Sequence, residues 1–219
     1  MIDYAYGAWV TVAILIAFAW TFLLALLRPR TRVEWRSLGM TQAFFVALFV
    51  EMFGFPLTIY VLSSLLGTTL SFGHVQGHLL GDILDAATGL GPAFGWIVVM
   101  GASTVLILAG TMLVARAWKV LYAARGGLVM HGPYAYVRHP QYLGLMVVVV
   151  GFLVQWPTLI TLAMAPFLFW AYSRLARKEE QELRQRFPTA YEGYGQKVPR
   201  LLPLRRGNPV PIVNEGGRA

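Results

Sequence analysis

Residues Ala8–Leu27 run for twenty positions without a charge and end on Arg28, Arg30, Arg32 and Arg36, with Trp35 among them as an interfacial anchor. About 20 apolar residues are what an α-helix needs to cross a bilayer core, because hydrocarbon offers no partner for free backbone groups. The pattern recurs. A second segment, Met40–Leu66, is interrupted by Glu51 and Pro56, which predicts a kink. A third, Pro92–Ala115, is followed by Arg116, Lys119 and Arg125. An apolar block from Tyr142 to Ser173 is broken by Gln155-Trp156-Pro157. Each half is only ~22–24 Å long as a helix, so a tight hairpin extended by a few residues at its cytoplasmic ends is expected.

The fold predicted is all-α: a polytopic membrane protein of about five transmembrane helices, the last two a hairpin, with a cytoplasmic C-terminal helix and loop. Composition agrees, since 57% of residues are hydrophobic and 13% charged, against about a quarter charged in soluble domains. The basic residues of 28–36, 116–138 and the tail from Arg174 fall on one side only with five spans, which puts the N-terminus outside and the C-terminus in the cytoplasm. The organisation expected is 1–91 for two spans and an outer loop, 92–204 for the core, and 205–219 for a flexible tail. Residues 67–91 read as that loop; they hold His74, His78, Asp82 and Asp85 but no Lys or Arg. His74, His78 and Asp82 share a helical face at i, i+4 and i+8, but the Gly-rich setting argues against a metal site, and none is expected. The seven tryptophans, Trp118 and Trp156 included, read as an interfacial belt.

Other classes are excluded early. With no cysteine there is no disulfide framework, thiolate metal site or cysteine nucleophile. The net charge of +8 flanks apolar segments, so it answers to lipid headgroups and not to nucleic acid. The first span follows Asp3 without a basic leader and is too long for a signal peptide.

Polar, conformationally fixed residues are costly beside a membrane, and they crowd together once, from His131 to Gly144. Gly132-Pro133 reads as a turn, and Pro140 pushes His139 to an extended conformation just ahead of a helix. Farther on, Leu175, Glu179, Leu183 and Phe187 recur at i+4 on a charged helix running to Pro188, so Glu179 is expected on its apolar stripe. Glu51 within the second span is a functional candidate by default, with an effect on selectivity or turnover expected from Glu51→Gln; a structural pairing with another span's polar group is the equal alternative.

Gly132-Pro133-Tyr134-x-x-Val137-Arg138-His139-Pro140-x-Tyr142-x-Gly144, followed by Glu179-Glu180-x-x-Leu183-x-x-x-Phe187-x-x-x-Tyr191-x-x-Tyr194-x-x-x-Val198-Pro199-Arg200, resembles the C-terminal half of the isoprenylcysteine carboxyl methyltransferase and phospholipid N-methyltransferase superfamily. The resemblance covers residues 104–203, and departs at Pro188, where the family usually has Gly. It implies S-adenosylmethionine as methyl donor, S-adenosylhomocysteine as product, and Gly132, Tyr134, His139, Tyr142, Glu179 and Glu180 as cofactor contacts.

The residue types suit that chemistry. A carboxylate such as Glu179 or Glu180 can hold an ammonium or ribose; Arg138 or His139 can hold a carboxylate. Tyr134, Tyr136 and Tyr142 offer ring faces to adenine or sulfonium. Methyl transfer is chiefly positioning, and a base is needed only for a protonated nucleophile, in which case His139 or His131 is available. Arg200 can neutralise an acidic head. Arg138, His139, Glu51 and Arg200 are thus the catalytic candidates. The acceptor expected is a lipophilic or small amphipathic molecule drawn from membrane lipid: a prenylcysteine carboxylate, phospholipid amine, isoprenoid or thiol. The competing readings are an NADPH-dependent sterol-type reductase, which needs cations for a 2′-phosphate, and a non-enzymatic transporter or scaffold, which needs no nucleotide.

Overall fold

The computed structural model describes residues 6–27, 29, 32–67, 79–124 and 126–202. His74, His78, Arg28, Arg30, Arg125 and the tail beyond Leu202 lie outside the described residues. Among the described residues every regular element is helical: α1 Trp9–Leu27, α2 Arg32–Phe49, α3 Leu57–Leu66, α4 Leu79–Thr88, α5 Pro92–Ala123, α6 Pro140–Gln155, α7 Leu159–Arg186 and α8 Pro188–Lys197. A π turn, Val50–Gly54, extends α2, and a 3₁₀ turn, Gly132–Ala135, precedes α6.

Four helices are long and apolar enough to cross a membrane: 9–27, 34–54, 93–123 and 159–186. The expected fifth, α6, has 16 residues, about 24 Å at 1.5 Å per residue, and forms the predicted hairpin with α7. The chain is an integral membrane protein. The second segment breaks at Phe55-Pro56 as predicted, but it begins earlier, at Arg32, and α3 is a separate ten-residue helix.

Two expectations are corrected. Residues 67–91 are not all loop: α4 packs against α5, where Gly81 and Gly95 let the backbones touch (a Cβ on Gly95 would lie 2.3 Å from the Gly81 carbonyl oxygen). Glycines that look like loop residues in sequence are contact points here. The third span also does not stop at Ala115. It continues to Ala123 because Arg116 and Lys119 point outward and no breaker intervenes before Gly126-Gly127.

The core brings together Leu23 and Leu27 of α1, Leu38, Phe44 and Leu48 of α2, Val114 and Trp118 of α5, Leu145 and Val149 of α6, and Leu168 and Tyr172 of α7. In a bilayer such packing rests on close fit, since lipid is as apolar as the core. The fit is closest between α5 and α6, where Gly110 faces Gly144: a Cβ on either would sit 2.6–2.9 Å from atoms of the other helix. The belt reading holds for Trp9, Trp35, Trp96 and Trp170, all exposed, but Trp118 and Trp156 are buried.

At roughly 48 Å and 42 Å, α5 and α7 overshoot a ~30 Å hydrocarbon core, whereas α6 falls short of it. The overhangs of α5 and α7 stand like two walls around the short helix, and the segment 126–139 folds between them.

Candidate active site

Gly132 opens the 3₁₀ turn at φ +63°, a left-handed conformation that favours glycine. The turn buries Tyr134, whose hydroxyl donates to Gln141 Oε1 at 3.2 Å and whose carbonyl accepts from the Tyr194 hydroxyl at 2.7 Å. Burial raises the Tyr134 phenol pKa, with the Glu179 charge adding to it, so the ring stays a neutral donor. His139 stands just ahead of α6 as predicted, with Pro140 in the first turn, but at φ −129° and ψ 65° it is outside the helical region without being fully extended.

Across from it, α7 presents two adjacent carboxylates in different settings. Glu179 accepts from the Tyr142 hydroxyl at 2.5 Å and from Gln141 Nε2 at 3.5 Å, and lies 3.2 Å from His139 Nδ1. Glu180 lies 3.4 Å from His139 Nε2 and 3.1 Å from Arg138 Nη1. It also accepts both arms of Arg200, at 2.9 and 2.7 Å. The expected placement is reversed: Glu180, 3% exposed, is the buried one, while the Glu179 side chain is 24% exposed. Neither imidazole contact has the angle of a hydrogen bond, and both ring nitrogens are buried without one. Burial lowers the His139 pKa, but the two carboxylates more than offset it, and the net shift is upward.

The C-terminal segment closes this arrangement. The Arg138 N–H donates to the Pro199 carbonyl at 2.9 Å, and the His139 N–H to the Arg200 carbonyl at 3.1 Å. The Arg138 guanidinium reaches the Tyr191 hydroxyl at 3.4 Å. The departure at Pro188 is harmless because that proline starts α8, where its missing N–H would be unpaired anyway.

A cleft opens between these elements. Its empty volume is about 940 Å³ counted out through its open mouth. Tyr134, Arg138, His139, Tyr142 and Glu179 line it, so the structure brings together five of the predicted residues. Gly132 shapes the turn without lining the cleft, and exposed His131 and Tyr136 stand outside it. Glu180 and Arg200 do not line it either, being spent on each other.

Glu51 is nowhere near. Its carboxylate accepts from the Thr58 N–H and hydroxyl, both at 3.1 Å, and Thr58 Oγ1 accepts in turn from the N–H of Leu159, the first residue of α7. Glu179 is twenty residues along that helix, about 30 Å away. A lone intramembrane acid invites a functional reading, but here local donors satisfy it.

Sequence reasoning missed Gln141, Glu182, Arg186, Trp118 and Glu34 among the lining residues. Glu182 and Arg186, at i+3 and i+7 from Glu179, were legible as its face of the helix. Glu34, in the first turn of α2, carried no signal.

Residues 96–185 match the model of the isoprenylcysteine carboxyl methyltransferase (ICMT) family. The chain is 35% identical over 78 residues to the protein-S-isoprenylcysteine O-methyltransferase of Schizosaccharomyces pombe, covering 35% of this chain and 33% of that protein. It is 37% identical over 87 residues to probable protein-S-isoprenylcysteine O-methyltransferases of Oryza sativa subsp. indica and subsp. japonica, covering 39% of this chain and 46% of each. The chain thus spans between a third and a half of the curated relatives it matches. No solved structure matches it. The matched segment contains α6, the hairpin turn, most of α5 and α7, and both carboxylates of the Glu-Glu pair, so the similarity to the isoprenylcysteine carboxyl methyltransferase family falls on the helices that build the cleft.

Proposed function

We propose that the protein is a membrane methyltransferase that uses S-adenosylmethionine and methylates the carboxylate of a lipophilic acceptor, a prenylated cysteine in first place. The cleft chemistry fits such a donor. Glu34, Glu179 and Glu182 line it as acids, suited to an α-ammonium, a sulfonium or ribose hydroxyls. Tyr134 and Tyr142 lie beside them for adenine or sulfonium, and Arg186 at the mouth suits a carboxylate. Bound there, S-adenosylmethionine would supply an electrophilic methyl group. The residues of the chain orient it and exclude water. A dinucleotide with several phosphates suits the site less: three acids line the cleft, Arg138 is already held by Glu180 and Arg200 is outside, which leaves Arg186 as the lining cation to meet the phosphates.

The observation that carries the acceptor is the setting of His139: carboxylates stand 3.2 and 3.4 Å from its two ring nitrogens and favour the protonated ring, which makes it a poorer base towards an ammonium or thiol. A carboxylate acceptor needs no base. The curated relatives are named for that chemistry. The basic flanks at the cleft end of the helices support a cytoplasmic site, and the overhanging walls beside a short helix support an acceptor arriving from the lipid.

The test is methyl transfer in proteoliposomes offered either a farnesylcysteine or phosphatidylethanolamine. Base-labile methyl ester on the farnesylcysteine is the expected product; methylation of the amine alone would overturn the carboxylate assignment.

A further inference from the structure

The two glutamates on α7 are neighbours in sequence, and the resemblance treats them alike. Their surroundings do not. Adjacent helical residues project about 100° apart, so both cannot face one cleft, and it is Glu179 that lines it. Glu180 is 3% exposed with both oxygens occupied. Oε1 takes Arg200 Nε at 2.9 Å, Arg138 Nη1 at 3.1 Å and His139 Nε2 at 3.4 Å, while Oε2 takes Arg200 Nη2 at 2.7 Å. Both oxygens thus carry a guanidinium contact, and the buried carboxylate does not line the cleft where a ligand would meet it.

The three partners come from two parts of the chain. Arg138 and His139 stand at the start of α6, Arg200 follows α8, and Glu180 itself is on α7. The backbone repeats the connection through Arg138 to Pro199 and His139 to Arg200. We infer that Glu180 is a positioning residue and not a cofactor ligand: it clamps the 198–201 segment to the head of α6 and so fixes the His139 imidazole beside Glu179, which alone of the pair reads the ligand. The inference rests on the methyl-donor reading for its binding readout, but not for its second.

His139 is faced by Glu179 and Glu180 of α7, by Tyr142 of α6 at 5.9 Å between ring centres, and by its neighbour Arg138. Arg200 reaches it through Glu180, and Tyr191 of α8 through Arg138. Removing the Glu180 charge leaves two guanidiniums unopposed near the ring, so its proton is lost earlier. Removing Arg200 has the opposite sign, since Glu180 is then shared by fewer cations.

The experiment titrates S-adenosylhomocysteine into the full chain in lipid nanodiscs across a pH series, beside NMR titration of ¹³C-labelled histidines. Glu179→Gln is expected to weaken binding tenfold or more already at pH ~6, because the charge-assisted contact to the ligand is lost. Glu180→Gln is expected to keep most affinity near pH ~6 but lose about five- to tenfold more by pH ~8, with His139 titrating about one unit lower. Arg200→Ala moves the His139 titration upward, and it carries the test if Glu180→Gln does not fold. Loss of binding by Glu180→Gln as severe at pH ~6 as that of Glu179→Gln, with His139 unmoved, would make Glu180 a ligand. Neither readout changing would remove it from the site altogether. Wild type that fails to bind S-adenosylhomocysteine defeats the methyl-donor reading, and the His139 titration then decides the positioning role by itself.

Discussion

Glu51 and Glu180 are equally buried, each 3% exposed, yet they sit in opposite company. Glu51 is held by an amide and a hydroxyl of one residue, Thr58, seven positions away, which link the π turn to α3 and, through Leu159, to the head of α7. Glu180 is held by two guanidiniums and an imidazole from distant parts of the chain. Neutral donors close to a carboxylate staple a local turn. Cations brought from afar make the carboxylate a junction whose loss strands several charges at once. Burial alone therefore does not separate a structural acid from one tied to a site; the charge and origin of its partners do.

The largest effect expected is from Glu180→Ala, which leaves Arg138, Arg200 and His139 without their shared counter-charge and costs about 3–5 kcal/mol. Thermal denaturation in detergent beside Glu51→Ala measures it, and an equal or larger loss in the Glu51 variant would break the contrast. Next comes Glu179→Gln, expected to weaken S-adenosylhomocysteine binding by about 10–100-fold, because a charge-assisted contact is lost. Its melting temperature should stay within a few degrees of wild type, since the side chain is only partly buried. Glu51→Ala ranks third, costing about 1–3 kcal/mol for unsatisfied buried donors and leaving S-adenosylhomocysteine affinity unchanged by calorimetry. Weakened affinity there would mean that the two ends of α7 are coupled.

The smallest effect is from pH. The His139 pKa is raised in the folded chain. Its stabilisation is thus complete below the unfolded value of about 6.5 and fades as pH rises through the higher folded value. Melting temperature should fall from near-neutral to alkaline pH in wild type and fall less in His139→Asn.

Much of this was legible beforehand, for physical reasons. Spans announce themselves because lipid forbids unpaired backbone, so runs such as Ala8–Leu27 have one reading. Arg138, His139, Tyr142 and Glu179 were legible as fixed polar groups beside a membrane, and they do meet at one cleft. Which face of α7 is buried was not, because the i+4 stripe through Leu175 and Glu179 borders a second through Tyr172, Ala176 and Glu180. Only packing against α6 and the C-terminal segment chooses between them. Arg200 looked available for an acidic head because its partner twenty residues earlier lies on another element. The α4 helix was hidden by glycines whose purpose, close approach to α5, shows only in three dimensions.

The short α6 also has a consequence for the surrounding lipid. With 16 residues between neighbours of 32 and 28, it matches a thinner slab of hydrocarbon than they do. Acyl chains beside it must shorten or tilt, at a fraction of a kcal/mol for each ångström of mismatch. A leaflet that follows α6 would dip where the cleft begins, to a depth set by its chain length. Turnover in bilayers of graded acyl length should then pass through an optimum below the thickness that α5 and α7 alone would select, so that the membrane itself sets how readily a greasy acceptor reaches His139.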